Sequence, residues 1–282
     1  MTNDPYSFFP GCSLATTAKE NLTSLIDVTG NLGITLIELD DWNCCGSSSA
    51  HSIDAQLADR LAMRNLSLAP ADRPLLVACP SCHLRLMQAQ LKLKTDAGAR
   101  ERFQRWFGGE ANPELRIMHL FELLDEVNWQ AVYKDGNRPL NGLVVAPYYG
   151  CMLSRPPSMR RMKNYHGLME RILERMGAKA VNWSYGSRCC GTFLSVVRPD
   201  VVTPMVRKIV SDASRVQAHC IVTACAMCHL NLEIRSIPGD TLPIFHFSEI
   251  LALAMGRGGT DAYFERHLID PRPMLKQLHL LP

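Results

Sequence analysis

The sequence lacks any long apolar run. Its longest apolar stretches, such as Leu75–Cys79 and Leu143–Ala146, fall far short of the ~20 residues that a membrane-spanning helix needs. It also has little excess charge, because 30 Lys and Arg against 27 Asp and Glu give a formal net charge of +3 over 282 residues. These absences argue against an integral membrane protein and against a nucleic-acid-binding protein with a basic surface.

Targeting and nucleotide-binding motifs are also missing. The N-terminal segment Met1–Pro10 has neither a basic region nor an apolar core of about 7–15 residues, so it does not resemble a secretory signal. No Gly-x-Gly-x-x-Gly motif occurs, so a bound flavin or nicotinamide is not expected. The C-terminal tail Tyr263–Pro282 carries several leucines, but Pro271 and Pro273 interrupt a long amphipathic helix. We therefore expect a cytoplasmic protein, with peripheral membrane association through partners as the alternative.

Cysteine is what the sequence has in excess. There are 11 cysteines in a chain long enough to form a core without disulfide staples. Ten of them form two sets of five in the same order: a single cysteine, then Cys-Cys-Gly, then Cys-x-x-Cys. The first set is Cys12, Cys44, Cys45, Cys79 and Cys82, and the second is Cys151, Cys189, Cys190, Cys225 and Cys228. Cys220 lies outside both sets, in an apolar run that predicts a buried thiol.

The repeat extends beyond the cysteines. His83 and His229 each follow the last cysteine of a set, and the segment Met118–Glu122 matches Phe245–Glu249. The chain is therefore predicted to be a tandem duplication. We place its seam in the polar stretch near Lys134–Pro139, which gives one cysteine-rich unit over residues 1–138 and a second over residues 139–282.

Within each unit, short apolar runs alternate with helical periodicity. The runs Tyr6–Phe9 and Leu143–Ala146 each end at a glycine-containing turn before the first cysteine. Further extended segments are predicted over 34–39, 75–78, 179–183 and 220–223, and helices over 17–29, 54–67, 165–176 and 203–218. This order predicts an α/β fold of two tandem units, each a short, mainly parallel sheet covered by helices. The five cysteines of a unit then share the carboxyl-end rim of its sheet.

Five clustered thiolates favour an iron–sulfur cluster over zinc. A structural zinc takes four ligands in a tetrahedron, and adjacent cysteines diverge too much to bind one ion easily. A multi-iron cluster accepts neighbouring thiolates on different irons, although the Cys-x-x-Cys-x-x-Cys run of common cubane clusters is absent. The alternatives that stay open are a structural zinc in one unit, buried free thiols and disulfides.

The two blocks resemble the tandem cysteine-rich CCG domains of the B-type subunit of heterodisulfide reductase. The resemblance implies one non-cubane [4Fe–4S] cluster per unit, held by the five cysteines of each set. It also implies the iron–sulfur catalytic subunit of an oxidoreductase complex that cleaves or forms a disulfide between the two clusters. The expected partners are an iron–sulfur protein like the C-type subunit of that enzyme, a flavin protein like its A-type subunit, and a disulfide or thiol-bound sulfur substrate.

Family resemblance leaves the substrate open. CCG domains also occur in one type of succinate dehydrogenase and in glycolate and lactate oxidases, so the alternative function is electron transfer in a quinone-linked or other dehydrogenase complex. A zinc-stabilised scaffold is a third hypothesis. Three residues are candidates for a catalytic role: His83 and His229 beside the last ligands, and Arg188 as a contact for an anionic substrate group. His119 and His246 are expected to be core histidines, and the basic residues from Arg155 to Lys163 a solvated face.

Overall fold

Two four-stranded parallel sheets form the framework of the protein. The structure is a computed structural model that describes residues 5–47, 50–133, 138–154, 165–236, 242–256 and 261–282. The first sheet contains β1 (Tyr6–Phe9), β2 (Leu36–Glu38), β3 (Leu75–Val77) and β4 (Ile117–His119). The second contains β5 (Val144–Tyr148), β6 (Lys179–Ala180), β7 (Cys220–Thr223) and β8 (Ile244–His246). The strand order is β2-β1-β3-β4 in one and β6-β5-β7-β8 in the other, which confirms the predicted α/β fold of two related sheets.

Helices connect the parallel strands and cover both faces of each sheet. Those of the first half are α1 (Cys12–Ala15), α2 (Lys19–Asn31), α3 (Ala50–Ile53), α4 (Ala55–Leu68), α5 (Pro80–Thr95), α6 (Ala97–Phe107), α7 (Leu120–Asp125) and α8 (Trp129–Val132). Those of the second half are α9 (Leu168–Arg175), α10 (Pro199–Arg215), α11 (Ala226–Arg235), α12 (Phe247–Ala254), α13 (Asp261–Phe264) and α14 (Arg272–Gln277). A short 3-10 helix spans Thr192–Leu194.

Alternating strand residues build three apolar cores. In β1, Phe8 packs into a core shared by both sheets, whereas Phe9 packs into a core on the outer face of the first sheet. The second sheet alternates likewise: Val145 joins the shared core, and Ala146 an outer core of its own. Because side chains on a strand point to opposite faces in turn, each sheet is buried on both faces, and the shared core joins the two units.

Helices α2 and α12 carry the main polar contact between the units. Their Ser24 and Ser248 hydroxyl oxygens lie 2.7 Å apart in a fully buried position, and the Ser248 hydroxyl donates to the Asn21 carbonyl at 3.1 Å. Phe121 and Phe247 meet edge to face nearby, with ring centroids 4.7 Å apart. The units are thus fixed against each other by both apolar packing and buried hydrogen bonds.

Most elements predicted from the sequence occur with shifts of a few residues, and two details differ. The sequence predicts Gly30 as the cap of the helix after the first cysteine, but Gly30 lies inside α2, and the left-handed turn falls on Gly33 with φ 71°. The extended segment predicted over 179–183 shortens to two residues. At the predicted seam, residues 134–137 lie outside the described residues, and the unit boundary stays a prediction.

The C-terminal tail packs onto the protein. Leu275 on α14 is fully buried in the shared core, and Met274, Leu278, Leu280 and Leu281 pack partly buried against it. Helix α14 spans only Arg272–Gln277, in agreement with the interruption expected from the two prolines. None of the helices in the described part of the chain is both long enough and apolar enough to span a bilayer.

Candidate functional site

The same three turns bring the cysteines of each unit together. Cys12 begins α1 directly after β1, and the chain reaches it through Gly11 in a left-handed conformation with φ 75°. A Cβ on Gly11 would lie 2.9 Å from Cys82 Sγ, so the turn needs glycine both for its backbone and for the space beside the thiol. Gly150, at φ 65°, has the same place before Cys151. The structure therefore places the first cysteine of each set at the carboxyl end of its strand, as predicted.

The Cys-x-x-Cys pairs lie at helix starts. Cys79 is the residue before α5 and Cys82 lies in its first turn, after β3. Cys225 and Cys228 have the same relation to β7 and α11. A helix start after a parallel strand places both side chains of a pair at the rim of the sheet.

The thiols of the first set lie within contact of one another. Cys45 Sγ and Cys82 Sγ are 3.1 Å apart, and Cys44 Sγ and Cys12 Sγ are 3.7 Å apart. Interaction with the Cys12 and Cys45 thiols lowers the pKa of Cys44 to about 2, and Cys44 in turn raises the pKa of Cys45 to about 12. Five thiols in such a small volume oppose each other's ionisation, and a bound cation is the usual means of holding several thiolates together.

The second set repeats this arrangement. Cys190 Sγ and Cys228 Sγ are 3.3 Å apart, and interaction with Cys228 lowers the pKa of Cys190. Cys189 Sγ accepts the Gly191 backbone N–H at 3.3 Å. Contact with Cys189 raises the pKa of Cys151 well above its ordinary value. Asn231 fixes the vicinal turn by donating its side-chain N–H to the Cys190 carbonyl at 2.8 Å.

Each set has an accessible edge and a buried edge. Cys12 and Cys189 are exposed, and Cys44 and Cys151 are half-buried. The buried members are Cys45, Cys79 and Cys82 in one set and Cys190, Cys225 and Cys228 in the other. The two halves therefore present matching pairs of thiols toward solvent, which the sequence order alone does not reveal.

The buried edges of the two sets meet between the units. The first cysteines of the two Cys-x-x-Cys pairs lie near each other, and the Cys225 thiol lowers the pKa of Cys79 well below its usual range. A narrow groove runs alongside, between Pro80 and Ser81 of the first unit and Cys151, Met152 and Phe193 of the second. The two Cys-x-x-Cys turns thus lie side by side at the unit interface.

The two histidines that follow the last cysteines are buried polar side chains. His83 is 6% exposed, with its Nε2 3.8 Å from Glu122 Oε1. His229 is 4% exposed, with its Nδ1 3.2 Å from Asn21 Oδ1 in the other unit. Neither imidazole is among the described residues that line the groove between the units. A role in direct substrate contact stays a prediction, and the observed role is to link each Cys-x-x-Cys helix to a buried polar cluster.

Tyr165 and Asn21 make reciprocal contacts across the interface. Tyr165, just before α9, donates its hydroxyl to Glu122 Oε1 of the first unit at 2.5 Å. Asn21, on α2, donates its side-chain N–H to Glu249 Oε1 of the second unit at 2.9 Å. The same contact is thus made from each unit to the other. The segment that follows the first cysteine of one unit contacts the glutamate that follows the fourth strand of the other unit.

His119 and His246 are core histidines, as expected. Each is 1% exposed and caps a helix, His119 at α7 and His246 at α12. The Glu three residues later accepts the N–H of the capping residue, which completes a capping box. Burial lowers the pKa of His246 to about 4, so this imidazole is neutral at pH 7.

Arg188 is exposed, and its guanidinium lies 5.7 Å from the Tyr185 ring centroid. Its contact with an anionic substrate group, suggested by its place beside Cys189, stays a prediction. The basic residues between Arg155 and Lys163 lie outside the described residues. Cys220 is fully buried in the shared core, and burial raises the pKa of its thiol well above the ordinary value. It is thus a core thiol that takes no part in either set.

The fold and the site define a class: a duplicated α/β protein with five converging cysteines at the rim of each sheet. Thiolates are soft ligands, suited to zinc and iron–sulfur clusters, and the crowded thiols and the glycine beside Cys82 fit such a group. The cysteine-rich domain of the CCG family matches residues 6–87 and again residues 145–233. The chain belongs to this cysteine-rich CCG domain family, which confirms the assignment made from the cysteine pattern.

Curated relatives cover almost the whole chain. One is the 8-methylmenaquinol:fumarate reductase membrane anchor subunit of Wolinella succinogenes, 29% identical, with 94% of this chain and 97% of that protein covered. Another is the B-type subunit of the ferredoxin:CoB-CoM heterodisulfide reductase of Methanosarcina mazei, 26% identical, with 88% of each chain covered. A protein of Archaeoglobus profundus that is described as like the B-type subunit of heterodisulfide reductase is 24% identical, over 89% of this chain and 90% of that protein.

A solved structure shares the fold. The crystal structure of a hypothetical protein from Helicobacter pylori superimposes with a TM-score of 0.74 at 14% sequence identity. The match covers 94% of this chain and 52% of that chain. This likeness supports the duplicated α/β architecture.

Proposed function

We propose that the chain is the iron–sulfur redox subunit of an oxidoreductase complex. In this proposal each set of five cysteines holds one non-cubane [4Fe–4S] cluster. The first uses Cys12, Cys44, Cys45, Cys79 and Cys82, and the second Cys151, Cys189, Cys190, Cys225 and Cys228. The substrate is a disulfide or a thiol-bound sulfur species, as the relatives from heterodisulfide reductases suggest.

The groove that Pro80 and Ser81, directly after Cys79, share with Cys225 and Cys228 is the observation that carries the proposal. Reduction of a disulfide to two thiols consumes two electrons and two protons. Iron–sulfur clusters supply electrons singly when bound, so two of them near one S–S bond match the demand. The groove brings the two Cys-x-x-Cys turns side by side, and the tandem duplication makes their surroundings similar.

The accessible edges give a sulfur substrate a way in. Cys12 and Cys189 are exposed, and the groove between the units reaches the second set beside Met152 and Phe193. Such small, mostly apolar surroundings suit a thiol or thioether chain, and the buried cysteines on the inner edge exclude water from the other side. The chain's own residues thus leave each cysteine set accessible from one side only.

Electrons must reach these sites from another protein, because the sequence carries no Gly-x-Gly-x-x-Gly fingerprint. We propose partners that resemble the C-type iron–sulfur subunit of heterodisulfide reductase and its A-type flavin subunit. Affinity purification under anaerobic conditions, with the tag on these candidate partner proteins, tests this proposal. Recovery of the chain without any redox partner would contradict it.

Sulfur chemistry is tested by spectroscopy on the full chain purified without oxygen. Iron, acid-labile sulfide and zinc are measured first, and EPR spectra are then recorded under oxidising conditions with and without an added thiol. A new paramagnetic signal that depends on the thiol supports sulfur binding at a cluster. Two clusters without any response to a series of thiols would overturn the disulfide hypothesis.

A second candidate is electron transfer in a quinone-linked complex without disulfide chemistry. The relative named as a fumarate reductase membrane anchor favours it, because it shares 29% identity over nearly all of both chains. The discriminating observation is reduction of the clusters by a menaquinol analogue in the presence of membranes. Reduction by the quinol together with no thiol-dependent signal would favour this second function.

A further inference from the structure

The second unit contains a buried cluster of metal-ligand type outside both cysteine sets. His229 Nε2, Glu233 Oε1 and His267 Nδ1 lie within 4.8 Å of one another. Glu233 Oε1 is 3.8 Å from the His229 nitrogen and 3.2 Å from the His267 nitrogen. Side-chain exposures of 6%, 3% and 1% leave the three groups almost entirely inside the protein.

The three converging atoms lack hydrogen bonds of acceptable geometry to any residue that the structure describes. His229 Nε2, Glu233 Oε1 and His267 Nδ1 are all buried, and among the described residues their ion-pair contacts are with one another. A native protein rarely leaves three such atoms facing one another, because each costs free energy when it is desolvated without a partner. Two imidazole nitrogens and a carboxylate oxygen pointing to one place are a frequent ligand set for a divalent transition-metal ion.

The opposite side of each ligand is held by a further residue. His229 Nδ1 lies 3.2 Å from Asn21 Oδ1, and His267 Nε2 lies 3.2 Å from Glu249 Oε1. The other Glu233 oxygen accepts the Leu268 backbone N–H at 3.1 Å. Metal-ligating histidines usually donate their second N–H to a carboxylate or an amide oxygen in this way, which fixes the ring and the tautomer.

The duplication shows that this cluster is specific to the second unit. Glu233 lies five residues after Cys228, and the residue five after Cys82 in the first unit is Met87. An apolar residue therefore satisfies the packing at this place in the fold, whereas Glu233 brings a carboxylate that is 5% exposed into the protein. Such a charge is destabilising unless a counter-charge accompanies it.

Two buried carboxylates face the histidines of this cluster. Glu233 and Glu249 are both buried, and their pKa values lie below the ordinary range, because the neighbouring histidines outweigh the opposing effect of burial. Among the residues the structure describes, no Lys or Arg pairs with either carboxylate within 4.0 Å. His267 lies 3.2 Å from both carboxylates, and their contacts outweigh burial and raise its pKa to about 10. It supplies one positive charge, which a divalent cation bound at this place would replace with two.

We infer that His229, Glu233 and His267 bind a divalent transition-metal ion, zinc or iron(II), separate from the two cysteine sets. The ion joins α11, which starts at the second Cys-x-x-Cys pair, to the C-terminal segment that carries His267. Through Asn21 it also fixes the position of α2 in the first unit. Its role is structural, because the three ligands are closed off from solvent.

The test uses the full chain purified without oxygen, in four forms: wild type, His267→Ala, Glu233→Met and the exposed-site control His279→Asn. Glu233→Met introduces the residue that the first unit has at this place, so it preserves packing. Zinc and iron are counted per chain, zinc-edge X-ray absorption gives the ligand type, and Mössbauer spectroscopy separates iron(II) from cluster iron. The cluster iron and sulfide serve as an independent readout of folding.

The expected result is about one non-cluster zinc or iron(II) per chain in wild type and His279→Asn, with nitrogen and oxygen ligands at ~2.0–2.2 Å. Both site variants lose this ion and keep their cluster iron. Wild type without such an ion, a sulfur shell near ~2.3 Å for all bound zinc, or an ion retained in Glu233→Met would each overturn the inference. If wild-type protein holds no such ion, a protonated His267 between the two carboxylates provides the charge balance.

Discussion

Cys79 and Cys225 lie close to each other at the interface between the two units, and the Cys225 thiol lowers the pKa of Cys79. Each is the first cysteine of its Cys-x-x-Cys pair, and each precedes a helix that leaves the rim of its own sheet. The duplication therefore does more than provide two separate sites. It places the buried edges of both cysteine sets against one another and turns their accessible edges outward.

Loss of one buried ligand should empty one site only. Cys45→Ser removes the thiol that lies 3.1 Å from Cys82 Sγ, and we expect a loss of about four irons per chain, the content of one [4Fe–4S] cluster. Cys220→Ala is the matched control, because Cys220 is equally buried but lies in the shared core, and it should keep full iron content. Iron and sulfide analysis measures both. Equal iron loss in the two variants would contradict the ligand assignment.

Gly11→Ala should damage the first site without touching a ligand. The added Cβ would lie 2.9 Å from Cys82 Sγ, on a residue with φ 75°, so both the backbone and the thiol must shift. We expect reduced iron in the first site and a free energy of unfolding lowered by more than ~1 kcal/mol.

Gly30→Ala is its control, since none of the described residues comes within 4 Å of the added methyl and Gly30 is an exposed residue inside α2. It should stabilise the protein by ~0.4–1 kcal/mol. Iron analysis and denaturant titration distinguish the two variants, and normal iron in Gly11→Ala would show that the turn is not tied to the site.

The Asn21 contact should stabilise the association of the units. Asn21→Leu removes the donor to Glu249 and the partner of His229, which leaves a buried carboxylate short of one hydrogen bond. We expect the free energy of unfolding to fall by ~1–3 kcal/mol. Thr23→Ala on the exposed side of the same helix should change it by less than ~0.5 kcal/mol. Chemical denaturation gives both values, and similar small effects would mean that apolar packing alone joins the units.

Tyr165→Phe tests the reciprocal contact. It removes the hydroxyl that donates to Glu122 Oε1 at 2.5 Å, and the expected cost is ~1–3 kcal/mol because a charged acceptor is affected. Tyr133 offers a matched control, since its buried hydroxyl has no hydrogen-bond partner within the described ranges of the chain and burial raises its pKa to about 12. Tyr133→Phe should therefore be neutral or slightly stabilising. A larger cost for Tyr133→Phe than for Tyr165→Phe would contradict the proposed link.

The framework of the protein is predictable from the sequence, for physical reasons that are local. Two runs of alternating strands and helices indicate the parallel sheets, and glycine turns place Cys12 and Cys151 at strand ends. Cys220–Thr223 reads as a strand with a buried thiol because every residue in it is small, branched or apolar. The gaps between cysteines reveal the duplication without any knowledge of the fold.

The relations between the units are beyond sequence reasoning. Nothing in the spacing indicates that Cys79 lies near Cys225, or that Asn21 and Tyr165 reach across to glutamates more than 40 residues away. The role of His267 also escapes prediction, because a single histidine between two short helices carries no signal. For this histidine and glutamate cluster, the sequence signal is the comparison of Glu233 with Met87. A carboxylate takes the place of an apolar residue in an otherwise similar helix.

Metal and sulfide analysis of the full chain, purified without oxygen, tests the central claim most directly. The claim is that both cysteine sets hold an iron–sulfur cluster, and it predicts about eight irons and a similar number of sulfides per chain, twice the content of one [4Fe–4S] cluster. A count near four irons, or zinc bound to sulfur in place of one cluster, would contradict it.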